Sequence, residues 1–190
     1  ATFSFVTLFL QARPRGRSTR PLRGSRYACA MSLHTVREHL ARFGMADGIL
    51  EFEESSATVA LAAEKVGTEP ARIAKTLAFY DPADQTRAIL IVAAGDARLH
   101  NGSFKRQFGG KAKMIAAEDL EALTGHPVGG VCPFANPPVA RVYLDESLKR
   151  FESVYPAAGT DRSAVNVAVA DMERVAEALG WVAVTNGWQE

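Results

Sequence analysis

The sequence predicts a single compact α/β (α+β) domain built on a mixed, curved or barrel-like sheet with helices packed outside it. Two patterns lead there. Strand-like runs interleave with short helical ones, and several links are too short for the crossover that a parallel pair needs, so some neighbours must be antiparallel. The scale fits as well: 190 residues, 47% apolar and 23% charged, is ordinary for one soluble globular domain with a real core. Periodicity alone leaves an open sheet available too.

Residues 1–30 stand apart. A short apolar piece, Phe3 to Leu10, precedes an Arg/Ser/Pro/Gly segment without helical or strand period. A secretory signal has its charge before its apolar run, the reverse of this order. The segment reads as disordered: sequence upstream of a start at Met31, an Arg-rich transit peptide, or a basic arm that grips RNA. The folded domain is therefore expected over residues 31–190. Its location is expected to be the cytoplasm, or an organelle matrix should residues 1–30 be a transit peptide.

From there the elements follow in order. Ser32 is placed to cap a helix with Leu33, Val36, Leu40 and Phe43 on one face and Gly44 at its end. Residues 49–53 alternate apolar and acidic, as a half-exposed strand does. Residues 58–66 form a helix closed by Gly67, and residues 73–80 a strand carrying Lys75. Asp81 to Asp84 is a turn. Residues 88–94 are almost continuously apolar, hence a strand buried on both faces. Residues 103–108 and 118–123 are short helices, with a short strand starting at Met114 between them and Gly125 ending the second. A strand at 139–144, a short helix at 146–151 and a strand at 165–169 come next. Asp171 caps a helix running to Gly180, and residues 181–184 are the last strand.

Charge and cysteine content narrow the function classes. The net charge of +1 hides six arginines and no acid in residues 1–30, so the remainder holds 16 basic and 21 acidic side chains, a net of −5. An acidic body argues against a general nucleic-acid binder and so against DNA, but allows contact with the end of a tRNA. No apolar run is long enough to span a bilayer, and no membrane partner is expected. The two cysteines, Cys29 and Cys132, can both be free thiols and form no disulfide framework. The histidines show no metal spacing (His34 and His39 are five apart), so neither metal nor cofactor is expected.

The stretch most suited to chemistry is Gly125 to Phe134, reading Gly-His-Pro-Val-Gly-Gly-Val-Cys-Pro-Phe. Gly129 and Gly130 can adopt angles closed to other residues and let another molecule approach the main chain. Pro127 and Pro133 stiffen the frame around them. Such a loop can turn successive N–H groups into one concavity, which suits a developing oxyanion. An ordinary tight turn before a strand is the competing reading.

This loop, together with Ala74-Lys75-Thr76-Leu77 about fifty residues upstream, resembles the signature segments of the YbaK-type editing domains. These are relatives of the domain inserted in bacterial prolyl-tRNA synthetases. The resemblance extends from about Leu33 to about Val184. A third matching segment is Tyr155 to Gly159, although Ala157-Ala158-Gly159 stands where some relatives carry a histidine–proline motif; that departure leaves the substrate amino acid open. The resemblance implies a six- to seven-stranded barrel-like mixed sheet and hydrolysis of mischarged aminoacyl-tRNA. The amino acid would be small (alanine, serine or cysteine), with tRNA-Pro one candidate carrier. The partner implied is the aminoacyl-tRNA acceptor end, with a synthetase as a second candidate.

In that frame Lys75 stabilises charge and holds substrate, while Gly129 and Gly130 donate N–H groups to the carbonyl oxygen. The attacking group is a water, which the substrate's own ribose hydroxyl helps to activate. Thr76, His126, Val131, Cys132, Pro133, Phe134, Ala158 and Gly159 are the expected substrate-binding residues. Lys105, Arg106, Lys111, Lys113 and Arg162 are candidates for phosphate contacts, or else a solvated face. Two alternatives stay open: a non-catalytic module binding the tRNA end or a synthetase, and a hydrolase of small esters using Cys132 with His126 as its base.

Overall fold

The computed structural model of the protein describes residues 24–188. At its centre is a six-stranded mixed sheet, curled into a half-barrel, with strand order β8-β6-β2-β3-β5-β9. The strands are β2 (Ile73–Tyr80), β3 (Ala88–Ala94), β5 (Ala140–Asp145), β6 (Ser153–Pro156), β8 (Val167–Ala168) and β9 (Trp181–Val182). The β2–β3 and β6–β8 pairs are antiparallel, and the other three pairs are parallel. Two antiparallel ribbons complete the strands: β1 (Ile49–Glu51) with β7 (Ser163–Val165), and β4 (Arg98–Leu99) with β10 (Thr185–Asn186). The expected mixed, curved sheet is thus observed.

Strand β3 explains the double layer. All seven of its residues are buried. Leu90 and Val92 join one cluster with Val36, Leu40, Phe134 and Met172, while Ile89 and Ile91 join another with Phe79 and Phe104. Alternate side chains therefore serve two cores, which is why the run is apolar without a break.

Among the described residues five α-helices cover the sheet: α1 (Gly24–Ala41), α2 (Val59–Val66), α3 (Asn101–Phe108), α4 (Ala117–Thr124) and α5 (Val169–Val175). None of the described helices is long and apolar enough to cross a membrane. The Thr58 side chain caps α2 by accepting from the Leu61 N–H, and Gly67 closes it at φ +75°. This is the ordinary division between capping oxygen and left-handed glycine. Phe104 of α3 is fully buried, with its ring 5.0 Å from Phe79 and 4.8 Å from Phe108.

Several details differ from the sequence expectation. Helix α1 starts at Gly24, so Ser32 lies inside it, buried, rather than capping it. The expectations for residues 1–23 fall outside the described residues. Asp171 lies inside α5, not at its start, and the helix stops at Val175. Beyond it, Glu177 takes φ +48°, and the chain folds back so that Leu179 N–H donates to Val142 and Gly180 accepts from Leu144 N–H. Joining the edge of β5 outweighs continuing the helix. The strand expected at 165–169 is two short strands, β7 and β8, in different sheets.

Asp145 pins the carboxyl-terminal segment. It is fully buried and accepts from Ser147 N–H (3.0 Å), Val184 N–H (3.0 Å) and the Thr185 hydroxyl (2.5 Å). Its removal strands buried donors, each costing about 1–3 kcal/mol. Asp145→Ala should therefore lower the unfolding free energy by about 3 kcal/mol, read as a shift of the urea midpoint.

Candidate active site

Helix α4 delivers the chain into the loop through Gly125, at φ +74°. Pro127 to Gly130 then forms a tight turn closed by Gly130 N–H donating to Pro127 O at 2.9 Å. Gly129 occupies the third turn position at φ +86°, which a type II turn reserves for glycine. Gly130 is glycine for a different reason: a Cβ there would lie 2.6 Å from Gly159 O and 3.0 Å from Thr160 Cα. Gly159, at φ +94°, is in turn so close to α1 that its Cβ would lie 2.8 Å from Ser32 O. Three backbones are stacked without intervening side chains.

Beside this stack lies a cavity of about 220 Å³. Lys75 and Thr76 of β2, Gly129 and Val131 of the loop, and Thr160 and Asp161 border it. The amino-terminal end of α2 forms another wall, through Ser56 to Val59. Lys75 is half-buried; its ammonium donates to the carbonyls of Gly95 (3.0 Å) and Ala97 (2.5 Å). Burial pushes its pKa below the ordinary lysine value, Asp96 opposes that shift and Arg98 reinforces it. The lysine also borders a second, more apolar groove of about 400 Å³, with Leu77, Phe79, Leu99 and Met114.

Lys75 and Gly129 of the diglycine loop therefore border one space. The pair of amides is different. Gly130 N–H is spent on closing the turn. Gly129 and Val131 border the cavity, and their amides have no acceptor among the described residues. The Thr76 hydroxyl is buried and also lacks a partner among them.

The remaining expected binding residues lie beneath the loop. His126, Cys132, Pro133, Phe134, Ala158 and Gly159 are all buried, and none borders the cavity. His126 Nε2 is 2.9 Å from Phe134 O. A carbonyl only accepts, so Nε2 carries the proton, and Nδ1 accepts from Ser32 Oγ at 2.6 Å. Cys132 Sγ lies 3.5 Å from that protonated Nε2 and is aligned on Phe134 O instead. Burial pushes the thiol up to about 12 and holds the imidazole below the ordinary value. A neutral histidine with its proton on the thiol side cannot serve as the base for this cysteine. The cysteine–histidine arrangement is a structural bolt, reinforced by Asn136 Nδ2 donating to Cys132 O at 3.1 Å.

Of the basic candidates only Arg162 adjoins the cavity, through Asp161. It is exposed and donates to Glu53 O at 2.9 Å. Lys105 and Arg106 are exposed on α3, and Lys111 and Lys113 are exposed beyond it. They stand near the second groove, which Asn101 and Ala112 help to line, and Lys113 sits 4.8 Å over the Tyr80 ring. Sequence reasoning missed Ser56, Thr58 and Asp161. The polar run Thr160-Asp161-Arg162 directly after Gly159 was the available signal. Among the described residues no group of three or more His, Cys, Asp or Glu side chains could hold a metal ion.

Comparison with known proteins places this architecture. Residues 53–175 match the model of the aminoacyl-tRNA editing domain. YwhH of Bacillus subtilis (strain 168), an uncharacterized protein, is 43% identical over 159 residues, covering 84% of this chain and all of that protein. A protein of Enterococcus faecalis (strain ATCC 700802 / V583) named "Putative Cys-tRNA(Pro)/Cys-tRNA(Cys) deacylase EbsC" is 31% identical over 98 residues, 51% of this chain and 58% of that one. Among solved structures, one described as a "putative trans-editing enzyme for prolyl tRNA synthetase" superimposes with a TM-score of 0.73 at 29% identity, covering 82% of this chain and 98% of that one. Another, of hypothetical protein APE2540, gives 0.70 at 28%, covering 80% and 99%. The chain belongs to the aminoacyl-tRNA editing domain family.

Two outcomes follow from the loop. Gly130→Ala must part it from Gly159, so the unfolding free energy should fall by about 1–3 kcal/mol, measured in urea. The His126 imidazole, watched by NMR, should titrate below its ordinary 6.5. Because the unfolded chain takes that proton first, stability is full above pH 6.5 and declines as the pH falls towards the folded value.

Proposed function

We propose that the protein is a free-standing trans-editing deacylase: it hydrolyses the ester joining a small, wrongly attached amino acid to the terminal ribose of a tRNA. The observation that carries this reading is the single 220 Å³ cavity bordered by both Lys75 and the diglycine loop, in a chain of the editing family. Water forms a bond to the carbonyl carbon, the bond from that carbon to the ribose oxygen breaks, and the ribose oxygen leaves with a proton from the water. The negative charge that builds on the carbonyl oxygen is met by Lys75 and by the amides of Gly129 and Val131, the groups best placed to favour the transition state over the ester. His126 is buried and committed and cannot act as the base, and activation of the water is assigned to the substrate's ribose hydroxyl.

Cavity size supports the small amino acid. Pockets for drug-sized ligands run from about 300 Å³ upward, so this one suits a short acyl side chain. Apolar contacts discriminate by only about 1–3 kcal/mol per methylene, which is why a separate hydrolytic sieve is useful after charging. Alanine, serine and cysteine fit the size; tRNA-Pro is the favoured carrier by analogy with the relatives. Arg162 is the phosphate contact nearest the cavity. The lysines and arginine around α3 provide a second basic area, and a synthetase remains a candidate partner.

The test uses the full chain with a panel of mischarged tRNAs. Lys75→Ala should lower turnover by about a hundredfold or more, the scale of losing a charge-stabilising donor. Cys132→Ser should retain turnover. Activity that survives loss of the lysine but not of the cysteine would overturn the assignment. Absence of turnover on every substrate would point to a binding module instead.

A further inference from the structure

The cavity is bordered by an acidic residue that the deacylase reading leaves without work. Asp161 borders the cavity, and its carboxylate has no hydrogen-bond or ion-pair partner among the described residues. No cation pairs with it among the described residues. Arg162 donates to Glu53 O, and the Lys75 ammonium is bound to Gly95 O and Ala97 O, with Asp96 and Arg98 as its charged neighbours.

The backbone at this position is nevertheless held firmly. Asp161 O accepts from Ser56 N–H at 2.6 Å and from the Ser56 hydroxyl at 2.9 Å. On one side Thr160 is tied to Ser163, hydroxyl to hydroxyl, at 2.8 Å. On the other side stands Gly129: a Cβ there would come within 3.1 Å of Asp161 Cβ. The missing side chain at Gly129 thus makes the room that the aspartate occupies, next to the amide assigned to the developing oxyanion. Fixed backbone, free carboxylate and adjacent acyl site together describe a receptor for a cation close to an ester carbonyl.

We propose that Asp161 binds the α-ammonium of the aminoacyl group. This rests on the deacylase reading and deepens it by naming the substrate class: esters of amino acids whose α-amine is free. In such an ester the ammonium sits one carbon from the carbonyl, so a carboxylate beside Gly129 can hold it while the carbonyl oxygen stays with the amides. An N-acylated amine carries no charge and has two fewer N–H donors than the ammonium, and it leaves Asp161 unpaired against a bulkier group. N-blocked aminoacyl-tRNA and peptidyl-tRNA are therefore poor substrates.

The experiment has two arms, both with the full chain. In the first, turnover of alanyl-tRNA and N-acetyl-alanyl-tRNA is measured for the native chain and Asp161→Asn, which preserves shape and backbone bonds. The native chain should favour the free amine by about tenfold or more, as loss of a charge-assisted contact predicts. The variant should lose that preference through KM on the free-amine substrate, with its rate on the acetylated one unchanged. Equal losses on both substrates, which a purely structural aspartate would produce, overturn the proposal, as does no loss on either. In the second arm, Kd is measured for the non-hydrolysable amide analogue of alanyl-adenosine, with its α-amine free or acetylated. Here Asp161→Asn should weaken only the free-amine form. This arm decides the role of Asp161 whether or not turnover occurs, while turnover by the native chain decides the deacylase reading separately.

Discussion

The site depends on a contact between two main chains. Gly130 lies against Gly159 so closely that neither a methyl group nor a water fits between them, and Gly159 lies equally close to the carbonyl of Ser32 in α1. Backbone against backbone leaves no rotamer freedom with which to adjust the spacing. The distance between the diglycine loop and the Thr160–Asp161 segment is therefore set by van der Waals contact. The cavity is the space that remains alongside, with β2 and the amino-terminal end of α2 as its other walls.

Polar groups divide into two sets around that contact. Below the loop, Ser32, His126, Cys132, Phe134 and Asn136 are tied together by hydrogen bonds, with Asn136 Oδ1 the one buried side-chain atom left without a partner among them. A buried network of this kind fixes geometry because each unmet donor or acceptor is costly. In the cavity itself the opposite holds: the Gly129 and Val131 amides, the Thr76 hydroxyl and the Asp161 carboxylate are unpaired among the described residues. The buried set holds the loop in one shape, and the cavity set is left free to meet a visitor. A residue's place in a motif does not say to which set it belongs, and His126 and Cys132 are the examples.

Much of the fold was legible because local chemistry and tertiary demand agreed. The apolar run of β3 needed two covered faces and has them; Thr58 and Gly67 bracket α2 as capping rules require. The misplacements came where long-range pairing overrode local signals. Asp171 looks like a cap, but α5 begins two residues earlier because Val169 N–H already donates to Glu152 O. The short strands β4, β6 and β10 lack any periodicity of their own and exist by virtue of their partners. In the site, the two motifs pointed to Lys75 and Gly129, which border one cavity, and to Gly130, which does not. Which amides are free and which side chains are buried depends on the turn closing at Pro127 and on the loop's contact with residues 159–160, and no spacing in the chain encodes that. Asp161 was visible only as one polar residue among three.

The anchoring of Lys75 has an electrical consequence. Its ammonium is bound by two peptide carbonyls, and the nearby acid, Asp96, is gripped by Arg150 through contacts of 3.0 and 2.6 Å. Peptide oxygens satisfy an ammonium's directional needs as dipoles, whereas a carboxylate partner would cancel its charge outright and leave a neutral couple. Strand β2 thus carries a fixed monopole whose field is not short-circuited at its source.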